Sequence, residues 1–272
     1  MKNIVLSLIA LQLVCSSCEK VGCTDPRAIN FDSSAEIDDM SCVYSDTVYI
    51  TDTITLCDKP PRTYLTCDGS DFTWNDVTNP TTGRTWMDRN LGATQVATSS
   101  TDVEAYGDLY QWGRGSDGHQ CKNSNTTKIR SSGDTPGHGD FILTNRGGFD
   151  NWQRPQNDSL WQGVDGINNP CPTGYRLPTK IEWEEEVESW NSKDSEGAFG
   201  SVLKLTMAGE RNFHSGLLNY SHIGGYYWSS TYGLPDNPLN GKDASYMGFS
   251  NRNAGVYPNW RPHGQSVRCI KD

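Results

Sequence analysis

Between Arg211 and His263 the chain concentrates amides, aromatic rings and cations: Asn212, His214, Asn219, Tyr220, His222, Asn237, Asn240, Asn251, Arg252, Asn253, Tyr257, Asn259, Trp260, Arg261 and His263. Flat rings stack on ligand faces, and amides bond to hydroxyl or peptide groups, so this composition suits recognition. Asn212, His214, Asn251, Arg252, Tyr257, Trp260 and Arg261 are the expected ligand-binding residues. The competing reading is that Asn and Gly end strands here and that Tyr257 or Trp260 belongs to a core.

Signs of catalysis are weaker. The five histidines, His119, His138, His214, His222 and His263, never form His-Glu-x-x-His or a close metal pair. Gly-x-Ser-x-Gly and phosphate-loop spacings are missing too. No catalytic residue and no cofactor are assigned, and the domain is expected not to be an enzyme.

Lys2 and the apolar run Ile4 to Val14 read as a secretory signal, too short for a stable membrane span. Val14-Cys15-Ser16-Ser17-Cys18 resembles a bacterial lipoprotein cleavage site, which implies acylation of Cys18; cleavage at Cys15 would leave bulky Val14 before it. Residues 1–17 would then be a lipoprotein signal peptide. Their loss takes one lysine from a formal charge of −10 and leaves −11. So acidic a chain argues against nucleic acid or an anionic membrane surface as partner, both of which reward clustered Lys and Arg.

Nine cysteines in an exported chain read as disulfides, because the compartment is oxidising and no Cys-x-x-Cys pairs recur. The expected bridges are Cys23 with Cys42, Cys171 with Cys269, and Cys57 with Cys67 across a hairpin at Pro60-Pro61. That leaves Cys121 free; Cys67 with Cys121 is the competing pairing.

The positioning elements centre on Cys171-Pro172-Thr173-Gly174-Tyr175-Arg176-Leu177-Pro178-Thr179-Lys180-Ile181-Glu182-Trp183. Pro178 keeps Leu177 out of the helical region, and Thr179 with Glu182 spells a capping box, so a helix is predicted from Lys180. Ile181, Trp183, Val187 and Trp190 are expected to face the core, with Glu184, Glu185, Glu186 and Glu188 in water. Gly224 to Tyr232 reads as a central strand, with Tyr246 to Phe249 and Ser266 to Ile270 as returning strands. Ala105 to Trp112 reads as a short helix or turn, and 113–169 as a long loop region pinned by its aromatics.

Arg176-Leu177-Pro178-Thr179 with Glu182-Trp183-Glu184 resembles a signature shared by the Fibrobacter succinogenes major paralogous domain and the formylglycine-generating, sulfatase-modifying family. Gly83 to Ala93, Ala105 to Arg114, Tyr227-Trp228-Ser229-Ser230-Thr231 and Ser266 to Asp272 resemble blocks of the first family, in order. The resemblance covers roughly Phe72 to Asp272. It implies an α+β, C-type-lectin-like, loop-rich domain over 72–272, and a cell-surface lipoprotein of the outer membrane that binds a protein or glycan. The alternative is a structural subunit of an outer-membrane or surface complex. A formylglycine-generating oxidase, which holds copper on two close cysteines, is disfavoured because Cys269 has no such neighbour. Trp74-Asn75-Asp76 spells a calcium-binding tripeptide of sugar-binding C-type lectins, but it lies at the domain's start, without its partner motif.

Residues 18–45 form a small acidic module bounded by Cys23 and Cys42. Asp25, Asp32, Asp38 and Asp39 offer oxygens that suit a hard cation such as calcium, but the spacing is not that of an EF-hand. A disulfide-closed loop with solvated carboxylates is the preferred reading, and no metal is assigned. Residues 46–71 read as an extended stalk and hairpin. Asp46-Thr47-Val48, Asp52-Thr53-Ile54 and Asp158-Ser159-Leu160 fit an Asp-Ser/Thr-aliphatic O-glycosylation pattern that the resemblance suggests.

Overall fold

In the computed structural model the described residues are 20–26, 28–38, 67, 69, 72–145, 151–233 and 242–272. The chain divides into two compact units, residues 1–57 and 58–272. The signal peptide, Cys18, Cys42, Cys57, Asp39 and the first two O-glycosylation tripeptides lie outside the described residues.

In the first unit, β1 (Val21–Gly22) pairs in parallel with β2 (Ile37–Asp38). Lys20 Nζ lies 2.8 Å from Asp32 Oδ2, and the Ser34 amide and hydroxyl both donate to Asp32 Oδ1. Asp32 therefore serves its own loop. Cys23 is disulfide-bonded.

The second unit is mostly β with short helices and much loop. Its strands are β3 (Asp76–Thr78), β4 (Thr85–Met87), β5 (Tyr110–Gln111), β6 (Thr126–Thr127), β7 (Phe141–Ile142) and β8 (Tyr175–Arg176). Helices α1 (Lys180–Glu188) and α2 (Ser195–Gly200) come next. Then follow β9 (Glu210–Arg211), β10 (Leu218–Asn219), β11 (Gly224–Tyr232), β12 (Asp243–Ser250), β13 (Ala254–Trp260), β14 (Gly264–Gln265) and β15 (Ile270–Lys271). They assemble as an antiparallel sheet β11-β12-β13, two four-stranded sheets ordered β10-β9-β14-β5 and β3-β4-β15-β8, and the parallel pair β6-β7.

The helix begins where its cap dictates. Thr179 accepts from the Glu182 amide and Glu182 returns a bond to the Thr179 amide at 2.7 Å, closing the capping box. Its buried face differs from the expected one. Trp183, Val187 and Trp190 are buried as expected, but Ile181 is 63% exposed while Glu182 and Glu186 are buried. Partners explain the exchange: Arg84 and Arg176 meet Glu182, and Asn79 Nδ2 and Trp190 Nε1 donate to Glu186. A buried carboxylate is tolerated when it has enough donors.

One core lies between α1 and the three-stranded sheet, with Trp86, Trp183, Leu203, Leu205, Tyr227, Met247, Phe249 and Ile270. A second, which includes Trp228, gathers Met87, Leu91, Tyr110, Trp112, Trp161, Leu177 and Val267 around Cys171 and Cys269. Indole N–H groups tie loops across these cores: Trp112 donates to Ser229 O, Trp228 to Tyr110 O, Trp183 to Trp228 O and Trp152 to Trp112 O. A loop-rich chain needs such partners, because its buried carbonyls have few ladder donors.

The Cys171–Cys269 bridge is present, with Cα atoms 5.9 Å apart. The Cys57–Cys67 expectation is corrected: Cys67 is bonded to Cys121, which is therefore not free. A sequence-near partner lost to one 54 positions away because the fold, and not the hairpin, brings the sulfurs together. Residues 105–112, read as a short helix or turn, hold the end of a 3-10 turn and then β5. One further expectation changes: Ser266 to Ile270 is mostly irregular between β14 and β15.

Candidate functional site

The sheet β11-β12-β13 has two unlike faces. Alternation sends Tyr227, Met247 and Phe249 into the core under α1, so Tyr226, Trp228, Tyr246 and Tyr257 share the opposite face, where Trp228 is fully buried in the second core and Tyr246 packs against it. Register places Tyr246 directly opposite Tyr257, and Tyr226 opposite Gly248, which in turn faces Gly255.

The three tyrosine rings form a row that Tyr220 extends. Ring centroids are 6.0 Å apart for Tyr220 and Tyr226, 5.8 Å for Tyr226 and Tyr246, and 5.9 Å for Tyr246 and Tyr257. Tyr220 is 51% and Tyr257 39% exposed, with Tyr226 and Tyr246 partly buried between them. Burial, with the Glu210 charge nearby, pushes the Tyr226 phenol up to about 12 and raises that of Tyr246 as well. The phenols stay neutral across the physiological range.

The loop after β10 presents Tyr220 from a strained backbone. Tyr220 and His222 both adopt positive φ, 59° and 66°, a region costly for residues with a Cβ. The Tyr220 carbonyl accepts from the amides of Ile223 and Gly224, the His222 amide donates to Met207 O, and the His222 ring meets Tyr106 edge-on. Leu217, Leu218 and Ile223 in the same stretch are exposed, which makes an apolar margin beside the rings.

Polar groups adjoin this face. On β13, Asn259 stands on the same side as Tyr257, and its Nδ2 lies 3.4 Å from Glu210 Oε2. Glu210 is buried and also receives Gln265 Nε2 at 3.3 Å, while His263 Nδ1 sits 3.1 Å away without hydrogen-bond alignment. Asn251 and Arg252 are exposed in the β12–β13 turn, where Ser250 Oγ accepts from the Arg252 amide.

The expected ligand residues thus separate. Tyr257, Asn251 and Arg252 belong to the tyrosine sheet. Asn212 closes a turn, its Oδ1 accepting from the His214 and Ser215 amides. His214 is exposed beside a different recess of about 300 Å³ lined by Lys128, Arg130, Leu143, Thr144 and Asn145. Trp260 packs edge-on against Phe213 with its indole N–H buried. Arg261 is corrected outright: it is fully buried, donates to Asp243 O and Asp158 Oδ1, and lies 4.4 Å over the Trp112 ring. Tyr226 and Tyr246 were missed. The alternation Tyr226-Tyr227-Trp228 marks them only once strand register says which side turns away from the core under α1.

One buried cluster pairs a histidine with an aspartate, as a catalytic dyad does. His119 accepts from the Gln111 amide through Nε2 and meets Asp117 through Nδ1. Both ring nitrogens are occupied, and burial with the Arg114 charge pushes the imidazole down to about 4. Among the described residues no group of three or more His, Cys, Asp or Glu side chains is arranged to hold a metal ion, and no helix is long and apolar enough to cross a membrane. In Asp158-Ser159-Leu160, Leu160 and the Asp158 carboxylate are engaged in packing, and Ser159 is exposed.

No family model, curated protein or solved structure matches this chain.

Proposed function

We propose that the protein is an exported lipoprotein, acylated at Cys18 and held at the outer membrane, whose C-type-lectin-like domain binds a surface ligand without transforming it. The row Tyr220, Tyr226, Tyr246 and Tyr257 supports this reading, because its end rings Tyr220 and Tyr257 are exposed and exposed aromatic rings commonly anchor a ligand. The exposed Leu217, Leu218 and Ile223 widen the contact. Against the oxidase alternative, Cys269 is spent in its bridge to Cys171, so no thiolate remains there for a cuprous ion.

The test uses the full-length protein in its native envelope. Cys18→Ala is expected to move it to the soluble fraction. Wild type cross-linked and purified from that envelope is expected to retain a ligand that a Tyr220→Ala/Tyr257→Ala variant of unchanged melting temperature loses. Equal retention by both removes the tyrosine face as the binding site. Copper-dependent oxidation of a peptide thiol by the wild type overturns the non-catalytic reading.

A further inference from the structure

The way the tyrosine rings lie narrows the ligand class. A Cβ built on Gly248 would stand 2.7 Å from Tyr246 Cε2, one on Gly255 2.8 Å from Tyr257 Oη, and one on Gly224 3.1 Å from Tyr226 Cε2. Each ring therefore lies down across a glycine two positions along its own strand. Register makes the three lean toward the same end of the sheet, since Gly248 faces Gly255 and Gly224 faces Ser250. The missing Cβ atoms are what allow this, the arrangement in which an aromatic ring covers a strand glycine.

Successive rings meet at shallow angles of 36°, 24° and 45°. Core pairs span both kinds, from Tyr227 with Phe249 at 17° and Trp86 with Trp183 at 38° to Trp190 with Phe249 at 87°, so it is the seat of each ring over a strand glycine that sets the row apart. The result is a row of rings laid along the sheet that begins at exposed Tyr220, crosses three strands through half-buried Tyr226 and Tyr246, the latter edge-on to Trp228, and ends at exposed Tyr257 on β13, with Asn259 beside its last ring.

We propose that this row binds a neutral, unbranched chain of pyranose sugars. This deepens the binding reading above and rests on it. The flat side of a pyranose carries C–H bonds of partial positive charge that complement the negative face of an aromatic ring. A polymer of such units repeats that flat side, as the row repeats its rings. The phenolic hydroxyls, Asn259 and the exposed Asn251 and Arg252 of the β12–β13 turn supply hydrogen bonds for sugar hydroxyls along the margin. Two rivals fit the shape less well. A cationic group is best held where rings enclose it, and these rings form an open row. A proline-rich peptide docks in an aromatic-lined groove, whereas rings that lie on glycines raise no ridges to form one.

The experiment titrates full-length protein with neutral β-linked glucan, xylan and mannan oligosaccharides, with a proline-rich peptide and with oligolysine, by calorimetry. At least one oligosaccharide is expected to bind. Tyr257→Ala is expected to weaken it tenfold or more and Tyr257→Phe far less. Gly255→Ala keeps every ring but lifts Tyr257 off its strand, and is expected to weaken binding as Tyr257→Ala does, with an unchanged melting temperature. Absence of binding to every oligosaccharide overturns the proposal, as does sugar binding indifferent to both Tyr257→Ala and Gly255→Ala. Preferential binding of the peptide or oligolysine, lost in Tyr257→Ala, overturns the sugar class while leaving the tyrosine face as a binding site. Indifference of Tyr257→Ala to every probe, together with equal ligand retention in the envelope experiment, defeats both.

Discussion

Arg176 and Glu182 are joined by two parallel hydrogen bonds, Nη1 to Oε2 at 2.8 Å and Nη2 to Oε1 at 2.9 Å. The same carboxylate accepts the Thr179 amide and hydroxyl and meets Arg84, so one side chain caps α1 and fastens it to β4 and β8. Burial opposes its ionisation, but the Arg176 bonds and charge and the Thr179 amide outweigh it and hold the carboxyl at about 2.

That depression makes the fold acid-labile in a defined window. The unfolded carboxyl takes its proton near 4.5 and the folded one near 2, so the stabilisation is complete above the first value and lost as pH falls through the second. Glu182→Gln should cost on the order of 3 kcal/mol at pH 7, and the gap to wild type should close as pH approaches 2. Denaturant melts across that range check it; a gap independent of pH would show that shape, not charge, matters. His119, held neutral down to about 4, adds a loss of stability between roughly 6.5 and 4 with the same sign.

Arg268 is fully buried, with Nη1 2.6 Å from Leu203 O and Nη2 2.7 Å from Asn90 Oδ1. Desolvation pushes its guanidinium down to about 10, which leaves it charged at neutral pH. Arg268→Met fills much of the volume but strands those acceptors, so a loss of about 3 to 5 kcal/mol is expected. Chemical denaturation of the purified domain measures it, and a loss below about 1 kcal/mol would mean that water reaches the acceptors.

Removal of the Cys67–Cys121 bridge should cost about 4 kcal/mol on the chain-entropy account of a 54-residue loop, less if the reduced state keeps structure. Peptide mapping of the exported protein should recover Cys67 linked to Cys121 and Cys171 linked to Cys269. Recovery of Cys67 with Cys57 would contradict the pairing seen here.

Trp260 and Tyr257, three residues apart on one strand, should respond oppositely. Trp260→Ala removes a ring packed edge-on against Phe213 and should cost about 3 kcal/mol of stability. Tyr257→Ala, on the exposed face, should change stability by less than about 1 kcal/mol while weakening ligand. Melting and binding measured on the same two variants separate the roles.

What the sequence by itself determined is mostly local. Thr179 and Glu182 specify a helix start because a cap is decided within three residues, and Gly224 to Tyr232 specify a strand because Tyr226, Tyr227, Trp228, Thr231 and Tyr232 are aromatic or β-branched. The Cys171–Cys269 pairing was also legible, from the expectation of export and the segments expected to meet. Tertiary structure alone decided the rest. Glu186 goes inside and Ile181 outside because Asn79, from a distant loop, supplies the carboxylate with a donor. Arg261, in a run that reads as surface, is drawn inward by Asp158 and the Trp112 ring, more than a hundred residues back. The tyrosine face depends on three strands pairing in one register: a shift by one residue would turn Tyr246 into the core and Met247 to water, and no spacing within a single strand states which it will be.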